Sequence, residues 1–231
     1  MEDISKQFYL NGCMQGEWAE TESYDKVMKS LKTIFNNDLN DGFELKQKYQ
    51  YSEDLRPNVY DYDESFINIL FENNIHKMIE NVVSANVELA HIQIRNVYPY
   101  PDGKSSYQMW HRDSHNYNNN PHGNFPPGYK IIFYPTFGGE TENVLSIIPG
   151  SHIRMFFDEQ EDRKQITPEN IITISNSDTK FILFNVGLFH STEPVREKNQ
   201  RIIYNFVHKS QLGRYDEKCI ELWREGCKRY V

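Results

Sequence analysis

His111-Arg112-Asp113 sets an imidazole and a carboxylate two residues apart. In extended backbone two such side chains project to the same side, so both can serve one metal ion. A third ligand must come from elsewhere, and His190 in Phe189-His190-Ser191 is the best candidate. It follows the apolar run Lys180 to Phe184 and a turn-like Asn185-Val186-Gly187. Two histidines and one carboxylate on one face of an octahedron are the ligand set of non-haem Fe(II) oxygenases, which leaves positions open for a co-substrate and O₂. H-x-D also arises by chance, and hydrogen-bonded polar residues give the same pattern.

Arg201 strengthens the metal reading. It lies eleven residues after His190 and opens the apolar run Arg201-Ile-Ile-Tyr-Asn-Phe-Val207. A charge at the edge of a core is expensive without a partner. Guanidinium binds carboxylate in a bidentate fork, which suits the distal carboxylate of 2-oxoglutarate; a protein acid or solvent would satisfy it too. Arg196, in the charged turn Pro194 to Lys198, reads as solvated.

The positioning elements follow from periodicity. Val27 to Leu39 and Phe66 to Val83 repeat apolar residues at helical spacing, with Asp63 as N-cap of the second helix. Leu45 to Tyr62 reads as irregular and tyrosine-rich. From Val87 the rhythm becomes strand-like. Val87, Leu89, His91, Gln93, Arg95 and Val97 share one face, and Ala90, Ile92 and Ile94 the other. Further strands are expected at Tyr129 to Tyr134, Val144 to Ile148, Ile171 to Ile174, Lys180 to Phe184 and Arg201 to His208, with a closing helix from Tyr215 to Lys228. Helices followed by many short strands, without βαβ alternation, argue for an α+β sandwich or barrel carrying helices outside. One domain over 1–231 is expected, comprising a mostly helical 1–86, a strand-built 87–208 and a helical 209–231.

The 231 residues carry 25 Lys plus Arg against 33 Asp plus Glu, a formal net charge of −8. That balance argues against a nucleic-acid or anionic-membrane partner. No apolar run approaches the roughly 20 residues of a membrane helix, and MEDISKQFYLNG lacks the regions of a signal peptide. Three cysteines make no disulfide framework, so a soluble protein of a reducing, cytoplasmic compartment is expected. Cys219 and Cys227 have no companion pair for zinc.

Taken in order, Trp110-His111-Arg112-Asp113, Ile148-Pro149-Gly150-Ser151-His152, Leu188-Phe189-His190-Ser191-Thr192 and Arg201 resemble the phytanoyl-CoA dioxygenase family of Fe(II)- and 2-oxoglutarate-dependent oxygenases. The resemblance covers roughly Ala90 to Val207. It implies a double-stranded β-helix (jelly-roll, cupin-like) core, with N-terminal helices packed outside and a C-terminal helix. It further implies Fe(II) on His111, Asp113 and His190, 2-oxoglutarate on Arg201, and oxidation of a small-molecule substrate with release of succinate and CO₂. Thr192, Gln93 and Tyr129, with Lys130 as the alternative to Tyr129, fall where the family contacts the co-substrate. His152 reads as structural. Arg112 stands where many members have Gln, and Ile203 where many relatives carry a hydroxyl. Arg112 and Arg154 read as solvated charges, Trp110 as packing, and His115 to Asn124 as a roof over the site. Because halogenating relatives lack the carboxylate, Asp113 implies hydroxylation or a related oxidation. The alternative is a non-catalytic or 2-oxoglutarate-independent jelly-roll metal-binding protein of cupin type, which has no need of Arg201.

Overall fold

The computed structural model describes residues 2–36, 45–48, 52–55, 59–83, 86–99, 110–113, 128–154, 158–214 and 217–230. Helices α1 (Glu2–Asn11) and α2 (Glu22–Asn36) flank strand β1 (Cys13–Glu17). Strands β2 (Leu45–Lys48) and β3 (Ser52–Leu55) precede helices α3 (Val59–Tyr62), α4 (Ser65–Glu72) and α5 (Ile75–Val82). Strands β4 (Val87–Val97), β5 (Tyr129–Phe133) and β6 (Asn143–Ile147) follow, then α6 (Glu159–Arg163). The chain continues through β7 (Ile172–Ser175), β8 (Lys180–Asn185), β9 (His190–Thr192) and β10 (Asn199–His208) to α7 (Glu217–Arg229).

Seven strands form an antiparallel sheet in the order β1-β8-β5-β10-β4-β3-β2, and β7-β6-β9 form a second. Strand β10 lies between β5 and β4, and its register gives the large sheet two unlike faces. On one face Arg201, Ile203 and Asn205 stand beside Arg95, Gln93 and His91 of β4. On β5 the same face carries Ile132 and Lys130. The opposite face carries Ile202, Tyr204 and Phe206 beside Ile92, Ile94, Ile131 and Phe133. It is buried in one apolar cluster with Val27 and Leu31 of α2, Phe66 and Leu70 of α4 and Trp223 of α7. Full burial of each such side chain contributes roughly 1.5–3 kcal/mol, so covering this face is what the helices do for the fold. Across the other face, Ile132, Ile182, Phe184 and Ile203 meet Val144, Leu145, Ile147 and Ile174 of the small sheet. Two antiparallel sheets facing each other, with helices outside, are the α+β double-stranded β-helix architecture expected from the sequence.

Several details differ from the sequence expectation. The N-terminal part contributes strands as well as helices: β1 joins the large sheet against β8, with Cys13 opposite Phe184. Strands β2 and β3 form within the stretch read as irregular, where β3 pairs with β4. The helix expected over Phe66 to Val83 is two helices, because Asn74 adopts a left-handed φ of 54° between them. Asparagine tolerates that conformation and ends a helix there. The N-cap position falls on Glu64 rather than Asp63, although Asp63 Oδ1 still accepts from Ser65 N–H at 2.9 Å just before the helix. On β4, residues Val87 and Leu89 do not share a face with His91. The pairing shifts from Asn205 opposite His91 to Phe206 opposite Leu89, so Ala90 is an extra residue. Such a bulge swaps the facing of everything beyond it, and Leu89 joins the helix-covered core.

Candidate metal and co-substrate site

Backbone pairing, rather than long side chains, brings the candidate ligands together. His111 N–H donates to His190 O at 2.9 Å and His190 N–H returns to His111 O at 3.0 Å. This bridge holds the H-x-D segment against the start of β9. Asp113 N–H donates to Val186 O at 3.0 Å, which anchors the second ligand to the turn after β8. One ligand atom from each of His111, Asp113 and His190 lies within 4.8 Å of the others, close enough to share one ion. His111 Nε2 is 3.3 Å from Asp113 Oδ1, and His190 Nε2 is 3.9 Å from Asp113 Oδ2.

The chemical state of each group suits a divalent cation. His190 Nδ1 lies 2.8 Å from Leu188 O. A carbonyl only accepts, so Nδ1 carries the proton and Nε2 keeps its lone pair towards Asp113. Burial, opposed by Asp113 and aided by His111, pushes the His190 imidazole down to about 4. At neutral pH it is therefore uncharged, the state a metal ligand needs. Burial alone would raise the Asp113 carboxyl, but Lys130, His111 and His190 outweigh it and hold the group well below the usual carboxylate range. The Lys130 ammonium donates to Asp113 Oδ2 at 2.7 Å. Two imidazoles and one ionised carboxylate, with one ligand atom of each within 4.8 Å of the others, fit Fe(II).

The triad opens on a cavity of about 170 Å³ between the two sheets. Gln93, Arg95, Lys130, Thr192 and Arg201 line it, and Ile132, Leu145, Phe184 and Ile203 form its apolar wall. Gln93, Thr192 and Arg201, three of the four residues expected at a co-substrate, thus share this space with the triad. Larger grooves of about 450 and 670 Å³ lie elsewhere, and none of the three ligands lines either. Arg201 is 8% exposed, and its Nε has no hydrogen-bond partner.

Tyr129 does not share the cavity. Its ring lies on the opposite face of β5, 6.1 Å from that of Phe8 and inside the helix-covered cluster. Lys130, one residue on, takes the inward place. The run Tyr-Lys-Ile-Ile-Phe-Tyr is apolar at both parities because β5 is a buried interior strand, so its facing was not legible locally. Arg95 also reaches the cavity, a role its place beside Gln93 on β4 foreshadowed.

Arg112 is not a solvated charge. It is 3% exposed, and its Nε and Nη2 donate to the two carboxylate oxygens of Asp162 at 2.5 Å each. Its Nη1 donates to Ser151 O at 2.7 Å and also to Gly187 O. The partner lies fifty residues away in sequence, so no local signal announces it. Trp110 packs on Phe189 with ring centroids 5.6 Å apart. His152 Nε2 sits 3.0 Å from Tyr9 O, outside the triad. The expected roof, His115 to Asn124, lies outside the described residues.

A jelly roll whose facing sheets enclose two histidines, a carboxylate and a buried guanidinium defines a class, the Fe(II)- and 2-oxoglutarate-dependent oxygenases. Residues 34–203 match the model of the phytanoyl-CoA dioxygenase (PhyH) family, and the chain belongs to that family. Among curated proteins no sequence matches. The fold is similar to HygX from Streptomyces hygroscopicus, solved with nickel, 2-oxoglutarate and hygromycin B, at a TM-score of 0.65 and 10% identity, covering 90% of this chain and 87% of that one. It is also similar to EctD from S. alaskensis with 2-oxoglutarate and 5-hydroxyectoine, at 0.63 and 13%, covering 91% and 77%. EvdMO1 is similar at 0.59 and 17%, covering 89% of this chain, which spans about half (49%) of EvdMO1's length.

Proposed function

We propose that this chain hydroxylates a polar small-molecule substrate, with Fe(II) held by His111, Asp113 and His190 and 2-oxoglutarate anchored on Arg201. One observation carries the reading: a buried guanidinium with an unpaired Nε lines the cavity on which the three ligands converge. A buried cation of that kind calls for an anion, and a dicarboxylate that also chelates the metal supplies one. Thr192 and Gln93 line the same cavity and are assigned further contacts to the co-substrate. Lys130 takes the place first given to Tyr129.

Bound together with O₂, iron and 2-oxoglutarate supply the oxidant for a C–H bond, with succinate and CO₂ as by-products. The protein's own contribution is orientation and exclusion of water. Leu188 O fixes the His190 ring, and Lys130 keeps Asp113 ionised. Ile132, Leu145, Phe184 and Ile203 present a dry wall. With iron bound, the Asp113 carboxylate would serve as a ligand where a halide would otherwise be needed, which favours hydroxylation. Similar folds hold hygromycin B and 5-hydroxyectoine, and a polar substrate suits the charged lining of this cavity. Three free cysteines support a cytoplasmic setting, and among the described residues no helix is long and apolar enough to cross a membrane. The net charge of −8 speaks against a nucleic-acid partner. The whole chain is taken as one catalytic domain.

Adding Fe(II) and then 2-oxoglutarate without oxygen should produce a weak visible charge-transfer band, absent from Arg201→Ala at concentrations that saturate the wild type. Slow succinate release without substrate should accompany it in air. A wild-type protein that binds Fe(II) but gives no band would instead be a 2-oxoglutarate-independent metal protein.

A further inference from the structure

Lys130 is the one charged residue of β5. Its register sets it level with Asn205 of β10 on one side and Phe184 of β8 on the other, and it lines the triad's cavity. Its Nζ donates to Asp113 Oδ2 at 2.7 Å, and the two side chains are only 22% and 24% exposed. Among the described residues no other lysine or arginine pairs with this carboxylate; its remaining charged neighbours are the two imidazoles.

The two carboxylate oxygens are thereby made unlike. Oδ1 lies 3.3 Å from His111 Nε2. That is near the roughly 3 Å between adjacent ligand atoms that each stand about 2.1 Å from an octahedral ion. Oδ2 carries the ammonium, with His190 Nε2 at 3.9 Å. An oxygen shared by both cations would draw an ammonium and a divalent ion together, and like charges repel. The number of oxygens bound decides what the site can do. A carboxylate bound through one oxygen leaves three of six positions open, two for the co-substrate and one for O₂. Bound through both, it takes a further position, and a chelating 2-oxo acid then fills the rest.

We infer that Lys130 is a positioning residue: by holding Oδ2 it keeps Asp113 a one-oxygen ligand, and so keeps the position for O₂ open. This rests on the assignment of the ion to His111, Asp113 and His190. An ammonium has three donors, so the same lysine still has donors to face the co-substrate.

Mn(II) alone, without 2-oxoglutarate, is the probe, because water-proton relaxation counts the waters on the bound ion. The wild type should carry three and Lys130→Met two, so the relaxation enhancement per bound ion should fall by about one-third. Lys130→Arg, which restores a charged donor, should recover it. Mn(II) should bind Lys130→Met at least as tightly as the wild type, since a neighbouring cation has gone; a residue that merely supports the fold would loosen the ion instead. Lys130→Leu, read in the same way, serves should the Met variant unfold. An enhancement equal to the wild type's in a folded variant would overturn the inference while leaving the metal site standing. Weaker Mn(II) binding with three waters retained would do the same. If Asp113→Asn binds Mn(II) as the wild type does, the ion lies elsewhere and both readings are lost.

Discussion

Arg112 and Asp162 form a bidentate ion pair whose side chains are both fully buried, at 0% exposure, and whose arginine lies between two candidate iron ligands. The pair ties the His111–Asp113 segment to α6, and through Gly187 O it also ties it to the turn that precedes His190. The guanidinium further lies 5.3 Å from the centre of the Phe189 ring. With further bonds from Nη1 to Ser151 O and from Nη2 to Arg154 O, this arginine ties the candidate-ligand segment to several neighbouring stretches of backbone.

Removing one partner of a buried pair leaves the other charge stranded, at a cost of about 3–5 kcal/mol. Asp162→Ala and Arg112→Gln should each lower stability to urea by that order, and the double variant should lose less than the sum of the two. Iron affinity should fall in both single variants, because the H-x-D segment is released. A double-mutant cycle in urea, with Fe(II) titration of each protein, provides the measurement. Additive losses would show that the pair does not act as a unit.

His76 gives the protein an acid-sensitive element far from the triad. Burial, partly opposed by the nearby Tyr230 carbonyl, pushes its imidazole below the ordinary 6.5, and Nδ1 has no hydrogen-bond partner. The folded state therefore binds a proton less readily than the unfolded chain. Stability should rise with pH towards 6.5 and be lost as pH falls below it. Comparing melting temperatures between pH 7 and pH 5.5, His76→Gln should lose less than the wild type. Equal losses would place the acid sensitivity elsewhere.

Gly226 lets α7 lie against α4. A Cβ there would stand 2.1 Å from two atoms of the Phe71 ring. That ring cannot retreat, since Trp223 and Tyr230 hold it at centroid distances of 5.2 and 5.3 Å. Overpacking of this kind costs about 1–3 kcal/mol, so Gly226→Ala should melt several degrees lower despite its better helix propensity. An unchanged or higher melting temperature would show that the helix shifts freely.

Much of the candidate site was legible because its signals are local. His111 and Asp113 share a side through strand periodicity, and His190 and Arg201 follow at short, ordered intervals. The alternation of apolar residues likewise marked most strands and the outer helices. Facing was harder wherever a strand is buried on both sides. Nothing in Tyr129 to Tyr134 says which parity looks inward, and only the register on β10 puts Lys130 and Tyr134 on the side of Arg201. On β4 a single extra residue, Ala90, broke a face that simple alternation would have continued.

By itself, then, the sequence determined the chemistry available: two imidazoles, a carboxylate and a guanidinium, in the order and spacing of a dioxygenase. Tertiary structure alone decided which neighbours those groups have. Asp162 meets Arg112 across fifty residues, and Lys130 reaches Asp113 across seventeen. Partners so distant are chosen by strand order and packing rather than by any local pattern. The environment of a buried charge is a property of everything folded around it.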